Sequence, residues 1–206
     1  LPKYVGPDPE TGAPSWALLE PDENGKTTTT TYSVASSNRF ASGDILPKVY
    51  GGFGTSLTAY GFDFSITFAY QLGGRIMDNT YAQLMSSQAI GDAWHEDILK
   101  AWTPENKNTE VPRLNVQDQR YTNTITQDRW LTSSDYLSLQ NITFGYTLPK
   151  SWTRKLQIEG VRLYFVADNV ALWTARKGLD PRQDYDEVEN VYSPIRTISG
   201  GISLNF

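Results

Sequence analysis

The sequence contains no cysteine, so neither a disulfide framework nor a thiolate metal site can be built from it. It has a single histidine, His95, which any Ser/His/Asp triad or His-bearing zinc site would have to use. That residue sits beside Glu96 and Asp97 in a stretch read as a surface helix, and it reads as a solvated or hydrogen-bonded surface group. No apolar run approaches the ~18–20 residues of a membrane-crossing helix. Positive charge is scarce too: a net charge of -5 and a pI near 4.9 exclude nucleic acid as a partner, which needs a basic footprint. What the chain does have is 39% hydrophobic and 13% aromatic residues, too much for disorder. The mean hydropathy of -0.45 does not distinguish a water-soluble protein from a barrel, because a barrel strand needs only ~9–11 alternating residues.

Residues 1–47 are punctuated by Asp8-Pro9-Glu10-Thr11-Gly12 and Pro21-Asp22-Glu23-Asn24-Gly25, and read as loop with one threonine-rich strand at 27–33. After Gly61 a period of two begins. Phe62, Phe64, Ile66, Phe68, Tyr70 and Leu72 fall on one face of a strand, with Asp63, Ser65, Thr67, Ala69 and Gln71 on the other. Val49 to Ala59 alternates more weakly, and Tyr60-Gly61 leaves room only for a tight turn, which predicts a hairpin. Tyr136 to Leu148 changes phase, which a bulge near Gln140-Asn141 would reconcile. Val161 to Trp173 gives a fourth strand. Ile198, Gly200, Ile202, Leu204 and Phe206 alternate with small polar residues in a fifth.

The connections alternate as well: short at 60–61, long at 73–129, moderate at 149–160, long at 174–194. Membrane barrels have short periplasmic turns and longer outer loops, and this order ends with the C-terminus in the periplasm. Within the first long loop, Asp92 is placed to cap a helix running to Trp102, with Trp94, Ile98 and Trp102 on one face. Alternation alone fits a soluble β-sandwich equally well. The barrel is favoured by Ser, Thr, Gly and Asn on the polar faces, by aromatics near strand ends, and by the terminal aromatic in phase with the apolar face. The expected fold class is therefore all-β, a transmembrane antiparallel β-barrel segment. Phe62, Phe64, Ile66, Phe68, Tyr70, Leu72, Ile198, Ile202 and Leu204 would face lipid. A start at Leu1 without Met or signal pattern fits a secreted mature protein or an internal fragment alike, and a strand count too small to close a barrel favours the fragment.

Chemistry-bearing constellations are thin. Asp180, Asp184, Asp186, Glu187 and Glu189 crowd the second long loop, but they read as a solvated loop rather than a glycosidase pair or a calcium site. Gly51-Gly52-Phe53-Gly54 lacks the Lys-Ser/Thr and helix of a phosphate loop. Asn141-Ile142-Thr143 has the form of a glycosylation sequon, but inside a strand it carries no weight. No catalytic, cofactor or metal residues are assigned, and the expectation is that the protein is not an enzyme.

Several stretches resemble one family. Pro47-Lys48-Val49-Tyr50-Gly51-Gly52-Phe53, Phe68-Ala69-Tyr70-Gln71-Leu72-Gly73-Gly74-Arg75, Ser134-Asp135-Tyr136-Leu137 through Pro149, Val161 through Val170, and Gly200-Gly201-Ile202-Ser203-Leu204-Asn205-Phe206 are similar, in order and spacing, to SusC/RagA-type TonB-dependent outer-membrane transporters. Residues 1–30 lack the frequent D-x-N-G-D-G element, of which Asp22-Glu23-Asn24-Gly25 is a partial echo. The resemblance implies a plugged barrel of ~22 strands, of which this chain carries the last five or six. It implies import of oligosaccharides or peptides across the outer membrane of a Gram-negative bacterium. It implies a SusD-like surface lipoprotein as lid, and the TonB complex acting through parts of the chain absent here. By the same analogy, residues 1–47 form an extracellular loop region and 48–206 the barrel strands, with extracellular loops 73–129 and 174–194. Trp94, Ile98 and Trp102 would contact the lid. Phe206 resembles the terminal aromatic signal of barrel assembly. The rival readings are a passive porin or adhesin barrel and a soluble carbohydrate-binding β-sandwich.

Overall fold

The computed structural model describes residues 1–85, 93–115, 127–154, 158–183 and 194–205. The described elements in chain order are β1 (Tyr4–Pro7), β2 (Pro14–Ala17), β3 (Thr28–Thr29), α1 (Tyr32–Ser37), β4 (Val49–Ala59), β5 (Phe62–Leu72), β6 (Arg75–Met77) and α2 (Asn79–Leu84). After these come β7 (Leu131–Ser133), β8 (Tyr136–Thr147), α3 (Lys150–Thr153), β9 (Gly160–Thr174) and β10 (Thr197–Asn205). No described helix is long and apolar enough to cross a membrane. The chain divides into two units, residues 1–44 with 76–132, and residues 45–75 with 133–206.

In the first unit, β1, β2 and β3 form an antiparallel sheet. The segment expected to be loop thus carries strands between its turns. The threonine run contributes only Thr28–Thr29 before α1 begins at Tyr32. The β1–β2 turn is set by Asp8, whose Oδ1 accepts from the backbone N–H groups of Glu10 and Thr11 and from the Thr11 hydroxyl. Those bonds hold its carboxyl below the usual range, the Thr11 hydroxyl contributing most. Gly12 closes the turn at φ +70, pressed so closely on the Trp102 indole that a Cβ would collide with it. Trp16 is fully buried, donates through Nε1 to Gln127 Oε1 at 2.9 Å, and meets the edges of Tyr4 and Tyr32. A second cluster joins Ala82, Met85, Ala101, Val111 and Trp130, with Met77, Tyr81 and Ile98 packed on it.

The helix expected over 92–102 is corrected here. Among the described residues, that stretch holds a single 3-10 turn, Glu96–Lys100. Its N-cap is His95, whose Nδ1 accepts from the Asp97 N–H at 3.1 Å. Asp92 lies outside the described residues. The α-helix of this region is α2, capped by Asp78, which accepts from the Tyr81 N–H. Propensity misses the difference because Trp102 is pulled out of helical register into a backbone bond with Val111.

The second unit is a five-stranded antiparallel meander in the order β10-β9-β8-β5-β4. β4–β5, β8–β9 and β9–β10 are neighbours in sequence, and β5 pairs with β8 across the long connection that carries β6, α2 and β7. Tyr60 and Gly61 both take positive φ, 52 and 85, which is the primed two-residue turn that matches strand twist. The phase change in β8 is a bulge. Thr67 and Phe68 are adjacent in β5, but their partners Asn141 and Leu139 are separated by Gln140. On the other side, Leu139 and Asn141 pair with Ala171 and Asp168, so β9 spends one residue more again.

Candidate functional site

Register sorts the sheet into two faces of opposite chemistry. Directly paired residues share a face, so Phe62, Tyr146, Leu163 and Ile202 form one row. Above it run Leu57, Phe64, Phe144 and Phe165, then Ile66, Ile142, Ala167 and Ile198. Phe53, Phe68, Leu139 and Ala171 follow, and after them Tyr70, Leu137 and Trp173. Leu72 pairs with Val49 at one end of the face, and Leu204 with Val161 at the other. Thus Phe62, Phe64, Ile66, Phe68, Tyr70, Leu72, Ile198, Ile202 and Leu204 all lie on one uncharged face, although they come from strands far apart in sequence. That face stays open: Leu57, Ile198 and Ile202 are 66%, 64% and 66% exposed.

The other face is largely polar, with rows such as Ser56, Ser65, Thr143, Val166 and Ser199. It carries one ion pair that crosses the sheet. Arg162 Nε and Nη2 donate to Asp63 Oδ1 and Oδ2 at 3.0 and 2.5 Å, from β9 to β5. The pair reaches across β8 because the residue between is Gly145, where a Cβ would collide with both side chains. Asn141 donates to Asp168 at 2.7 Å and accepts from the Thr143 hydroxyl. A 99-residue separation hides the Asp63–Arg162 pair from sequence reading. The one signal is a glycine inside the aromatic run of β8.

At the end of the sheet where the long connections leave, the quoted motifs meet. Asp135 Oδ1 accepts from the Gly73 N–H at 2.6 Å, and Gln71 Nε2 donates to the Ser134 hydroxyl at 3.0 Å. Lys48 N–H donates to the Leu72 carbonyl, and its side chain lies against Gly73. The turn Gly73-Gly74 takes positive φ at both residues, and a Cβ on either would clash. The Ser-Asp and Gly-Gly elements are therefore two halves of one lock on the β5–β8 register.

At the same end, Asp180 and Arg182, just after β9, lie against the polar face. Arg182 donates to both carboxylate oxygens of Asp180 at 2.8 and 2.6 Å, to the Ser138 hydroxyl at 2.9 Å and to Asn169 Oδ1 at 3.3 Å. Asp180 and Ser138 are buried. The Asp180 hydrogen bonds raise the Arg182 pKa above its ordinary value. Beside this network, a groove of about 520 Å³ is lined by Asn169–Thr174, Lys177–Asp180, Arg182, Pro194 and Arg196.

The other expected residues fall elsewhere. Trp102 is buried, Ile98 packs on the Trp130 cluster, and Trp94 is exposed. Phe206, Asp184, Asp186, Glu187 and Glu189 lie outside the described residues. His95 stacks edge-on with Tyr81 as well as capping its turn. Among the described residues, no group of acidic residues and histidines has metal-site geometry.

No protein-family model matches the sequence. Curated relatives do. The chain is 31% identical over 185 residues to TonB-dependent receptor P3 of Formosa agariphila, covering 84% of this chain and 18% of that receptor. It is 28% identical to TonB-dependent receptor P39 of the same organism, over 71% of this chain and 14% of the relative. The chain thus spans less than a fifth of the length of these receptors. Among solved structures, a chain of the RagAB peptide transporter superposes on all of this chain at TM-score 0.82 and 29% identity, with 22% of its own length covered. The RagAB peptide importer in its closed-closed state gives 0.81 and 28%, again over all of this chain and 22% of the other. These relatives are receptors and transporters, not enzymes.

Proposed function

The chain belongs to the TonB-dependent receptors of the SusC/RagA type, and from that premise we propose that it supplies part of the wall of an outer-membrane importer. The observation that carries this reading is the sheet with one continuous, uncharged, exposed apolar face and one largely polar face. In water such a face would have to be covered. In a bilayer it is already solvated, and the polar face lines a wet lumen. The dimensions fit. Eleven residues of β5 at ~3.4 Å each span ~34 Å along the strand after end effects, and a tilt near 45° makes that ~25 Å of height.

The full reading is a barrel of ~22 strands, with residues 73–129 and 174–194 on the extracellular side and cargo passing the polar face. The likeness to RagAB favours peptides over oligosaccharides as cargo. A SusD-like lipoprotein covers the mouth, and energy comes from the TonB complex through other parts of the receptor. Of the residues expected at the lid, Trp94 is exposed and offers a contact, while Trp102 is buried and Ile98 packs on the Trp130 cluster.

The test is electrophoretic. Full-length receptor from a detergent-extracted outer-membrane fraction should run as a compact species before boiling and shift on heating. A soluble protein indifferent to heating would refute the barrel. Growth on peptides as nitrogen source, lost when the receptor gene is deleted, tests the cargo.

A further inference from the structure

One carboxylate of the polar face stands apart from the arginines. Asp168 lies near the middle of β9, in a row that runs Gly54, Thr67, Asn141, Asp168 and Thr197 across all five strands. Gly54, Thr67, Asp168 and Thr197 are exposed, so small neighbours leave the carboxylate open to the space over the sheet. The ladder is irregular at this row. Gln140 is the extra residue of β8 just before Asn141, and Asn169, at φ +51, directly follows Asp168. Bulges re-aim side chains, and here Asn141 Nδ2 donates to Asp168 Oδ1 at 2.7 Å. The Thr143 hydroxyl donates to Asn141 Oδ1 at 3.0 Å and so fixes which way the amide points. The carboxylate is thus held in one direction by an uncharged partner. Asp63 and Asp180 on this face each bind an arginine, Arg162 and Arg182. Asp168 has no ion pair among the described residues. Residues 184–193, which lie outside the described residues, contain no lysine, arginine or histidine and so bring it no cation.

We propose that Asp168, oriented by Asn141, is a selectivity subsite that takes a cationic side chain, lysine or arginine, of a peptide in the lumen. A charge-assisted hydrogen bond from an ammonium or guanidinium to Oδ2 completes the carboxylate, which Asn141 alone leaves half satisfied. A low-dielectric wall focuses the field of a charge that no neighbour cancels, and lumen residues are the ones that tune selectivity in a barrel. The hydroxyls of the next row, Ser65, Thr143 and Ser199, donate or accept without regard to sequence. The subsite therefore adds a charge preference to an otherwise tolerant surface. The inference rests on the peptide-importer reading above and deepens it.

The probes are hexapeptides of alternating serine and lysine, or serine and glutamate, acetylated and amidated at their ends. They are titrated calorimetrically into the full-length receptor complex in detergent. The wild type should bind the lysine peptide more tightly, and added salt should narrow the gap. Asp168→Asn removes the charge at nearly constant shape. It should weaken the lysine peptide about fivefold and leave the glutamate peptide unchanged or tighter. Asp168→Lys should reverse the preference. Equal weakening of both peptides by Asp168→Asn in a receptor that keeps its shift on heating, or no effect on either, would overturn the subsite. Should both variants fail to assemble, the wild type decides, and no preference for the lysine peptide at low salt overturns it. If the wild type supports growth on peptides yet prefers neither probe, the subsite alone fails. If it binds neither probe and supports no such growth, the peptide-importer reading fails with it.

Discussion

The two units of this chain use apolar side chains in opposite ways. In residues 1–44 with 76–132, the large indoles go inside: Trp16 and Trp130 are 0% and 1% exposed. In the meander, row after row of Phe, Leu and Ile points outward together, and the buried Ser138 is on the polar side. The same hydrophobic effect acts in both. The medium differs. The first unit has a small core under short strands and turns, as burial from water requires. The second leaves its apolar face exposed, and under the proposed barrel reading lipid would cover it.

The sharpest way to break that contrast is to exchange neighbours across the sheet. Ile66 and Thr67 sit next to each other near the middle of β5 on opposite faces. Ile66→Lys places a charge on the apolar face near mid-height, which costs about 2–4 kcal/mol at a bilayer midplane. Thr67→Lys places the same charge on the polar face. The expected result is strong loss of the heat-modifiable species for Ile66→Lys and near-normal yield for Thr67→Lys. Equal losses would mean that the faces do not meet different media.

The other unit should answer to the ordinary rule of cores. Trp130 is at the centre of the cluster with Ala82, Met85, Ala101 and Val111. Trp130→Ala should cost about 3–5 kcal/mol locally. Limited proteolysis of the receptor should then cut within 76–132, while the barrel keeps its shift on heating. Loss of both together would show that the two units fold as one.

How far sequence reaches differs between the units for the same reason. The meander is legible because a period of two, a two-residue turn and a phase change each have one cheap solution in a sheet. The hairpin at Tyr60-Gly61 and the bulge at Gln140 follow from that local logic. The first unit is not legible. Its short strands β1 to β3 carry too few residues for a pattern, and its order comes from contacts such as Trp16 to Gln127, 111 residues apart. The candidate site divides likewise. Which residues share the apolar face follows from parity. The Asp63–Arg162 pair and the Arg182 network do not, because each depends on which strands become neighbours and where a loop returns.

The smallest expected effect sharpens the contrast through pH. Asp97 accepts from Lys100 Nζ at 2.5 Å and from the Tyr81 hydroxyl at 2.9 Å, which ties the 3-10 turn to α2. Those bonds, the Lys100 bond first, hold its carboxyl below the usual range. A depressed folded-state pKa means that the carboxylate contributes stability above its unfolded value, near ~3.9. That stability is lost as pH falls through the folded value. Lys100 is 70% exposed, so solvent screens much of the pair and the change stays local. Hydrogen exchange, corrected for intrinsic rate, should show the backbone of 96–101 opening as pH drops from about 5.5 to about 3, while β5 and β8 stay protected. Asp97→Asn should exchange faster at the upper pH and lose the dependence. A wild-type pH response that survives this substitution would move its origin away from Asp97, and a matching response in β5 would erase the distinction between a water-facing unit held by side-chain pairs and a sheet held by its main-chain ladder.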